Sequence, residues 1–96
     1  MTESSWQVYM IEADDGRLYT GVSTDVERRF NEHREGGLRG AKFFRGRKPR
    51  RVVYLEDGHD RSSAHQREAV IKKLSRSAKL KLIAATKEAA APRPDQ

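Results

Sequence analysis

The sequence contains no cysteine, which excludes disulfide bonds and cysteine-based zinc sites. With 96 residues, the chain is long enough for one small domain around a modest apolar core. We assign residues 1–88 to that single domain. Residues 89–96 are expected to form a flexible tail, because they contain two prolines and no apolar residue larger than alanine.

Long apolar runs are also absent. No stretch reaches the roughly 18 residues that a membrane span requires, and Met1–Ser5 lacks the basic and apolar pattern of a signal peptide. We therefore expect a soluble, cytoplasmic protein that does not bind through a membrane anchor.

Acidic residues are too few to balance the basic ones. The chain has 20 Lys and Arg against 14 Asp and Glu, a formal net charge of +6, and a pI of about 10.0. An excess of this size favours a polyanionic partner, such as nucleic acid or an acidic membrane surface.

Positive charge is concentrated in residues 38–51, which contain no acidic residue and which we call the basic loop. Arginines suit phosphate geometry, and glycines let a backbone approach closely, so this loop is predicted to bind nucleic acid. Phe43 and Phe44 either stack on unpaired bases or anchor the loop in the core. The candidate nucleic-acid-binding residues are Arg39, Lys42, Arg45, Arg47, Lys48, Arg50 and Arg51.

The stretch Leu18–His33 has the strongest local pattern. Its first third alternates apolar and polar residues, as a half-buried strand does, around Tyr19-Thr20-Gly21. Thr24 and Glu27 form a capping box, which predicts a helix from about Asp25 to Glu35. Arg29 and His33 are four residues apart, so they lie on one side of that helix.

The preceding residues, from Trp6 to Ile11, predict the partner strand of a hairpin. A two-residue Asp15-Gly16 turn would put Tyr9 and Tyr19 on opposite faces of the sheet. A three-residue loop with a left-handed Gly16 would instead place Tyr9 opposite Gly21, with both tyrosines on one face. We favour the second register because it gathers the polar aromatic residues.

A third strand is predicted at Arg51–Glu56, closed by Asp57-Gly58. Ser62 or Ser63 is expected to cap a second helix, with Ser63 and Gln66 as a capping box. Ser75 is expected to start a third helix that ends near Lys87. The order β-β-α-β-α-α predicts an α+β fold, with a small three-stranded antiparallel sheet flanked by helices.

Considered separately, the polar residues have ordinary structural explanations. Strand tyrosines such as Tyr9 and Tyr19 usually pack, and His33 fits a buried helix edge. Glu68 can pair with Lys72 one turn later on its helix. The functional alternatives are a phosphate clamp at Arg29, proton transfer at His33 and a divalent cation at Glu68.

Together these residues resemble the GIY-YIG endonuclease superfamily, and in particular its small one-domain bacterial branch. Gln7-Val8-Tyr9 corresponds to the first motif and Tyr19-Thr20-Gly21 to the second. The resemblance extends from about Trp6 to Ile83. The positions that match the family's catalytic residues are Tyr9, Tyr19, Arg29, His33 and Glu68.

The resemblance implies metal-dependent hydrolysis of a DNA phosphodiester bond in repair or recombination. It implies that Glu68 holds Mg²⁺ or Mn²⁺, and that Tyr9, or water activated through it, is the general base. His33 would accept or relay the proton, Arg29 would bind the phosphate, and Tyr19 would position the site.

Two other functions are compatible with the composition. One is a nucleic-acid-binding protein of the same fold that cuts weakly or not at all. The other is a protein that docks on an acidic protein partner through its positive charge. Retention of all five residues favours the enzyme, because binding alone needs no metal carboxylate.

Overall fold

The first two strands form a hairpin around Gly16. In the computed structural model, which describes residues 5–36 and 40–90, β1 is Trp6–Ala13 and β2 is Leu18–Ser23. The Ala13 N–H donates to the Arg17 carbonyl across 2.8 Å, and Gly16 has a φ of +88°. Tyr9 lies opposite Gly21, so the predicted three-residue loop and its register are confirmed.

The third strand is longer than predicted. β3 is Pro49–His59 and pairs antiparallel with β1, which gives the strand order β2-β1-β3. The expected closure at Asp57-Gly58 is wrong, because Gly58 adopts a φ of +83° inside the strand, where the register with β1 shifts. A β-bulge at a glycine continues the strand where a turn was expected.

Aspartates, not the predicted serine and threonine residues, cap two of the helices. Helix α1 is Val26–Glu35, and the Asp25 side chain accepts a hydrogen bond from the Arg28 N–H at 3.1 Å. The prediction of a Thr24–Glu27 capping box is therefore wrong. Because a carboxylate is already placed at the helix start, it accepts the unpaired N–H of the first turn.

Helix α2, Arg61–Lys72, begins after Asp60, whose side chain accepts from the Ser63 N–H at 2.8 Å. Ser63 occupies the third position of the helix and completes the capping box from there, so neither the predicted serine cap nor the Ser63–Gln66 box forms. Helix α3, Arg76–Ala90, starts after Ser75 as predicted and continues three residues past the predicted end at Lys87. The rest of the predicted tail, residues 91–96, lies outside the described residues.

The sheet is covered on both faces. One face packs Val8, Met10 and Tyr54 against Ile71 of α2 and Ile83 of α3. The other face packs Tyr9 and Ile11 against α1 and against Phe44 of a short 3₁₀ helix, Lys42–Phe44. The result is the predicted α+β architecture, with Tyr9 on the face that α1 covers.

None of the helices in the described residues is long and apolar enough to cross a membrane.

Candidate active site

Tyr9 occupies space that is open only because residue 21 is glycine. Its side chain is 1% exposed, in the centre of the sheet. A Cβ atom built on Gly21 would lie 2.6 Å from the Tyr9 hydroxyl oxygen and 2.7 Å from Cζ. Any side chain at residue 21 would therefore displace the phenol, so Tyr9 and the Tyr-Thr-Gly motif form one structural unit.

The Tyr9 hydroxyl also forms a buried hydrogen bond with His33. The histidine Nε2 atom lies 3.1 Å from the Tyr9 oxygen, and the Nδ1 atom accepts the Ala41 N–H at 3.2 Å. Because Nδ1 accepts a hydrogen bond, the ring proton of a neutral His33 is on Nε2, which donates to Tyr9. The backbone of residue 41 thus fixes the tautomer of the histidine.

Burial keeps His33 neutral. His33 is 1% exposed, and desolvation, with a contribution from the nearby Arg29, lowers its pKa to about 4. Glu32 acts in the opposite direction without reversing the shift. At neutral pH the imidazole is therefore uncharged, as its two hydrogen bonds also require.

The depressed pKa of His33 predicts a pH-dependent stability. Between pH 6.5 and about 4, an unfolded chain protonates this histidine and the folded chain does not. The free energy of unfolding should therefore fall as the pH decreases through this window, by up to about 3 kcal/mol. Urea titrations at several pH values measure this loss.

The pH dependence of stability is compared between two variants, His33→Gln as the test and His65→Gln as the control. His65 suits the control because it is exposed on α2. The His33→Gln variant should lose most of the pH dependence between 6.5 and 4, and the His65→Gln variant should retain it. An unchanged pH profile in His33→Gln would contradict the buried, neutral state of His33.

The Tyr19 ring packs against three other rings of the site. Its ring centre lies 5.1 Å from those of His33 and Phe44, and 5.3 Å from that of Phe43. Phe44 is only 6% exposed and stacks 4.7 Å from the His33 ring. Of the two roles considered for the phenylalanines, the structure supports the core anchor for Phe44, because a buried ring has no open face for a base.

Arg29 extends from α1 to the same cluster. Its Nη1 donates to Glu32 Oε1 at 2.9 Å, one turn later on the helix. Burial raises the pKa of Tyr9, the adjacent Tyr19 adds to the increase, and Arg29 opposes it both by charge and by a hydrogen bond. Glu32 was not among the predicted site residues, although its three-residue spacing from Arg29 is a usual helical ion-pair signal.

Glu68 lies on α2, the helix whose Ile71 packs on the opposite face of the sheet from Tyr9. Its carboxylate raises the pKa of Tyr9 further, so its charge reaches the phenol. The expected pair with Lys72 is present at 3.2 Å from Oε2, and His65 Nδ1 lies 3.4 Å from Oε1. The Glu68 side chain is 18% exposed, which leaves a solvent-facing side to the carboxylate.

The Glu68 carboxylate is compatible with a hydrated divalent cation. No group of three or more His, Cys, Asp or Glu side chains suited to a metal occurs within residues 5–36 and 40–90. Mg²⁺ nevertheless commonly uses one or two carboxylates, with water and substrate phosphate completing its shell. The Glu68 carboxylate supplies a hard oxygen donor of the required kind.

Some basic side chains of the basic loop bind other groups of the protein, and others are exposed to solvent. Arg47 donates to Asp15 Oδ2 and to the Phe43 carbonyl, both at 2.8 Å, and its guanidinium lies 4.7 Å from the Phe43 ring centre. This arginine therefore fastens the loop to the β1–β2 turn. Arg51 pairs with Glu12 at 3.0 Å, and Arg50 donates to the Asp14 carbonyl at 3.2 Å.

Three cations of the loop are exposed and have side chains with neither an ion pair nor a hydrogen bond to any described residue: Lys42, Arg45 and Lys48. Arg39, the remaining predicted contact, lies outside the described residues. The exposed cations come from the same loop whose backbone and aromatic residues hold His33 and Tyr19.

Comparison with known proteins identifies relatives of the whole domain. The family model described as GIY-YIG catalytic domain matches residues 5–81. A UPF0213 protein of Desulfotalea psychrophila is 42% identical over 84 residues, which cover 88% of this chain and 76% of that protein. A UPF0213 protein of Natronomonas pharaonis is 48% identical over 77 residues, covering 80% of this chain and 88% of the relative.

A solved structure shares this fold. The solution NMR structure of a UPF0213 protein from Bacillus halodurans has 40% sequence identity and a TM-score of 0.53, with 83% of each chain covered.

Proposed function

Because the chain belongs to the GIY-YIG catalytic domain family, a family of nucleases, we propose that it is a divalent-metal-dependent endonuclease that hydrolyses DNA in repair or recombination. The observation that carries the proposal is the Tyr9 phenol, buried between His33 and Gly21 and within reach of the charges of Arg29 and Glu68. Hydrolysis would leave a 5′-phosphate and a 3′-hydroxyl end.

In this proposal Tyr9 is the general base. For this, the Tyr9 phenol must first release its own proton to solvent, which burial opposes and the charge of Arg29 favours. The phenolate then accepts a proton from the attacking water, whose oxygen bonds to phosphorus while the 3′ oxygen leaves and takes a proton from a second water. The Nε2–H of His33 donates to the Tyr9 oxygen, which stabilises negative charge there and fixes the phenol. In this proposal His33 acts as a hydrogen-bond donor, which differs from the proton acceptor or relay that the family resemblance implies.

Arg29 is the proposed phosphate clamp. Its guanidinium is held by Glu32 and interacts with Tyr9, so it is pre-oriented toward the position where charge develops on the phosphate. Tyr19 positions the site by packing against the edge of His33. Glu68 is the proposed ligand of Mg²⁺ or Mn²⁺, which would supply positive charge beside the scissile phosphate and the leaving 3′ oxygen.

The exposed part of the basic loop is the proposed DNA surface. A triple variant with alanine at Lys42, Arg45 and Lys48 should weaken DNA binding, and should reduce the slope of log Kd against log salt by about 2 to 3, since each lost phosphate contact removes roughly 0.9. Fluorescence anisotropy with a labelled duplex at several salt concentrations measures the slope.

A second triple variant controls for net charge. Arg61 in α2, Lys73 just after the end of α2, and Lys81 in α3 are exposed, and alanine at these positions removes the same charge from elsewhere. If both triple variants reduce the slope equally, the protein's overall charge and not the loop carries the binding.

One observation favours the alternative, a nucleic-acid-binding protein that does not cut. Both oxygens of Glu68 already contact cationic or titratable groups, Lys72 and His65. A cation bound there would share the carboxylate with them.

A cleavage assay distinguishes the two functions. Labelled single strands, flaps, nicked duplexes and four-way junctions are incubated with Mg²⁺, with Mn²⁺ or with a chelator. The enzyme should cut at least one of these DNAs only with the metal, and ligation of the product should reveal its 5′-phosphate. Binding without cleavage in every condition would support the alternative.

A further inference from the structure

The strand β3 leaves one edge of the sheet open. It is the outer strand in the order β2-β1-β3, and its far side pairs with no strand in the described residues. An edge strand of 11 residues presents unpaired N–H and C=O groups that can bind another strand. Val52 and Leu55 on β3 are 38% and 43% exposed, although both are large apolar residues.

The sequence of this edge is complementary to itself in the antiparallel direction. Residues 50–57 read Arg-Arg-Val-Val-Tyr-Leu-Glu-Asp, with two cations at one end and two carboxylates at the other. A two-fold axis between Val53 and Tyr54 would place Val52 opposite Leu55 of a second copy. The same axis would place Arg50 opposite Asp57 and Arg51 opposite Glu56, and opposite charges across strands are stabilising.

This register requires an irregular strand, and β3 has the required irregularity. In a regular strand, neighbouring side chains point to opposite faces of the sheet. Val53 would then point to one face and Tyr54 of the second copy, directly opposite it, to the other. In β3, however, Val53 has no partner on β1 because the register shifts between Met10 and Ile11. Val53 packs in the same cluster as Tyr54, on the face of α2 and α3.

The remaining residues follow the same symmetric pattern. Val52 and Leu55 pair with Ile11 and Tyr9 of β1, on the face that α1 covers. Arg51 pairs with Glu12, and Glu56 pairs with Val8. Along β1 these two partners alternate with Tyr9 and Ile11, so Arg51 and Glu56 lie on the other face of the sheet. The three inner pairs, Arg51–Glu56, Val52–Leu55 and Val53–Tyr54, would therefore each join residues that point to the same face of the sheet.

We propose that two copies of this chain associate through β3, in antiparallel register about the Val53–Tyr54 midpoint, to form one six-stranded sheet. Charge complementarity and the matched faces both specify a second copy as the occupant of this edge. The exposed Arg50 and Asp57 would form the outer pair. The Arg51 side chain is 61% exposed despite its contact with Glu12. Its mate Glu56 already binds Arg67 and His59, so in the dimer it would share its carboxylate with Arg51.

The proposed dimer places both candidate active sites on one face. The two β1 strands would be three strand spacings apart, or about 14 Å, at roughly 4.8 Å each. If the proposed nuclease function holds, the dimer presents two phenols to the two strands of one duplex. The assembly itself does not depend on that function.

Cysteine cross-linking tests the register without any activity measurement. The natural chain has no cysteine, so single substitutions provide the only thiols. Residues paired across antiparallel strands have Cα atoms about 4.5 or 5.5 Å apart, within the range of a disulfide. Purified Val52→Cys and Leu55→Cys chains are mixed without DNA or metal, oxidised mildly and resolved on non-reducing gels.

The mixture should give a cross-linked dimer that neither variant gives alone, since each residue is about 10 Å from its own symmetry mate. Val70→Cys, a valine 51% exposed on α2, is the control thiol and should not cross-link with Leu55→Cys. Equal cross-linking in all mixtures, or none above the Val70→Cys control, would overturn the proposal.

A charge exchange gives a second, independent measurement. Arg50→Glu places like charges opposite each other in both halves of the dimer, and should weaken self-association several-fold in sedimentation equilibrium. The double variant Arg50→Glu/Asp57→Arg restores opposite charges and should recover association. Failure of the double variant to recover, when the single variant is weakened, would exclude this register.

Discussion

Replacing Tyr9 with phenylalanine is expected to lower the single-turnover rate of DNA cleavage by about 10³-fold, within the range of 10² to 10⁴ typical of a lost general base. The variant removes the only group proposed to accept the proton of the attacking water. DNA affinity should change by less than about twofold, because Tyr9 is 1% exposed and the phosphate contacts come from Arg29 and the basic loop. Rapid-mixing cleavage with enzyme in excess gives the rate, and anisotropy gives the affinity.

Tyr54→Phe is the matched control. The Tyr54 hydroxyl is also inside the protein, where it donates to Glu56 at 2.6 Å, but on the opposite face of the sheet. Both variants leave a hydrogen-bonding group without its partner, at a cost of roughly 1 to 3 kcal/mol of stability. Only Tyr9→Phe should lose cleavage. Equal losses in the two variants would mean that destabilisation, and not base catalysis, explains the effect.

Replacing Glu68 with glutamine should abolish metal-dependent cleavage, with a decrease of at least about 10³-fold at a fixed Mg²⁺ concentration. Glutamine keeps the size of the side chain and removes the charge that would hold the cation. The loss of that charge should also relieve its effect on the pKa of Tyr9, which Glu68 raises. Binding to DNA should remain, or strengthen slightly, because a negative charge has been removed.

Glu27→Gln serves as the control for net charge, since Glu27 is exposed in the first turn of α1. It should cleave at the wild-type rate. Cleavage that persists in Glu68→Gln would remove this residue from the mechanism, whereas equal losses in both variants would indicate a general electrostatic effect.

Local chemistry explains why the hairpin and the first helix could be predicted from sequence. A glycine after two aspartates predicts a short turn but allows two registers. The register that puts Tyr9 opposite Gly21 is favoured because it gathers the polar aromatic residues on one face. Arg29 and His33 follow from helical spacing, which does not depend on the rest of the protein. The turn and the helical spacing needed only neighbours in the sequence, whereas the choice of register needed the pattern of both strands.

Competition between similar local signals explains the errors at the helix starts and in β3. Thr24 and Asp25 are both good caps, as are Asp60 and Ser63, and only the final backbone path decides which side chain accepts the first N–H groups. Gly58 suggests a turn in the sequence, but a bulge uses the same positive φ inside a strand.

Tertiary contacts explain what the sequence could not indicate about the site. The Ala41 N–H that fixes the tautomer of His33 comes from a different segment, and no pattern marks it. Arg47 is chemically identical to Arg45, but the β1–β2 turn places Asp15 beside it and removes it from the exposed set. The influence of Glu68 on Tyr9 likewise depends on how α2 packs against the sheet.

The most direct measurement of whether Glu68 and Tyr9 share one cation-binding pocket is paramagnetic broadening in two-dimensional ¹⁵N NMR spectra of the full chain, titrated with small amounts of Mn²⁺. Broadening should begin with the amides around Glu68 on α2 and around Tyr9 and Gly21 on the sheet, and it should be absent in Glu68→Gln. Broadening centred on other carboxylates, or an identical titration of the Glu68→Gln variant, would contradict the proposed active site.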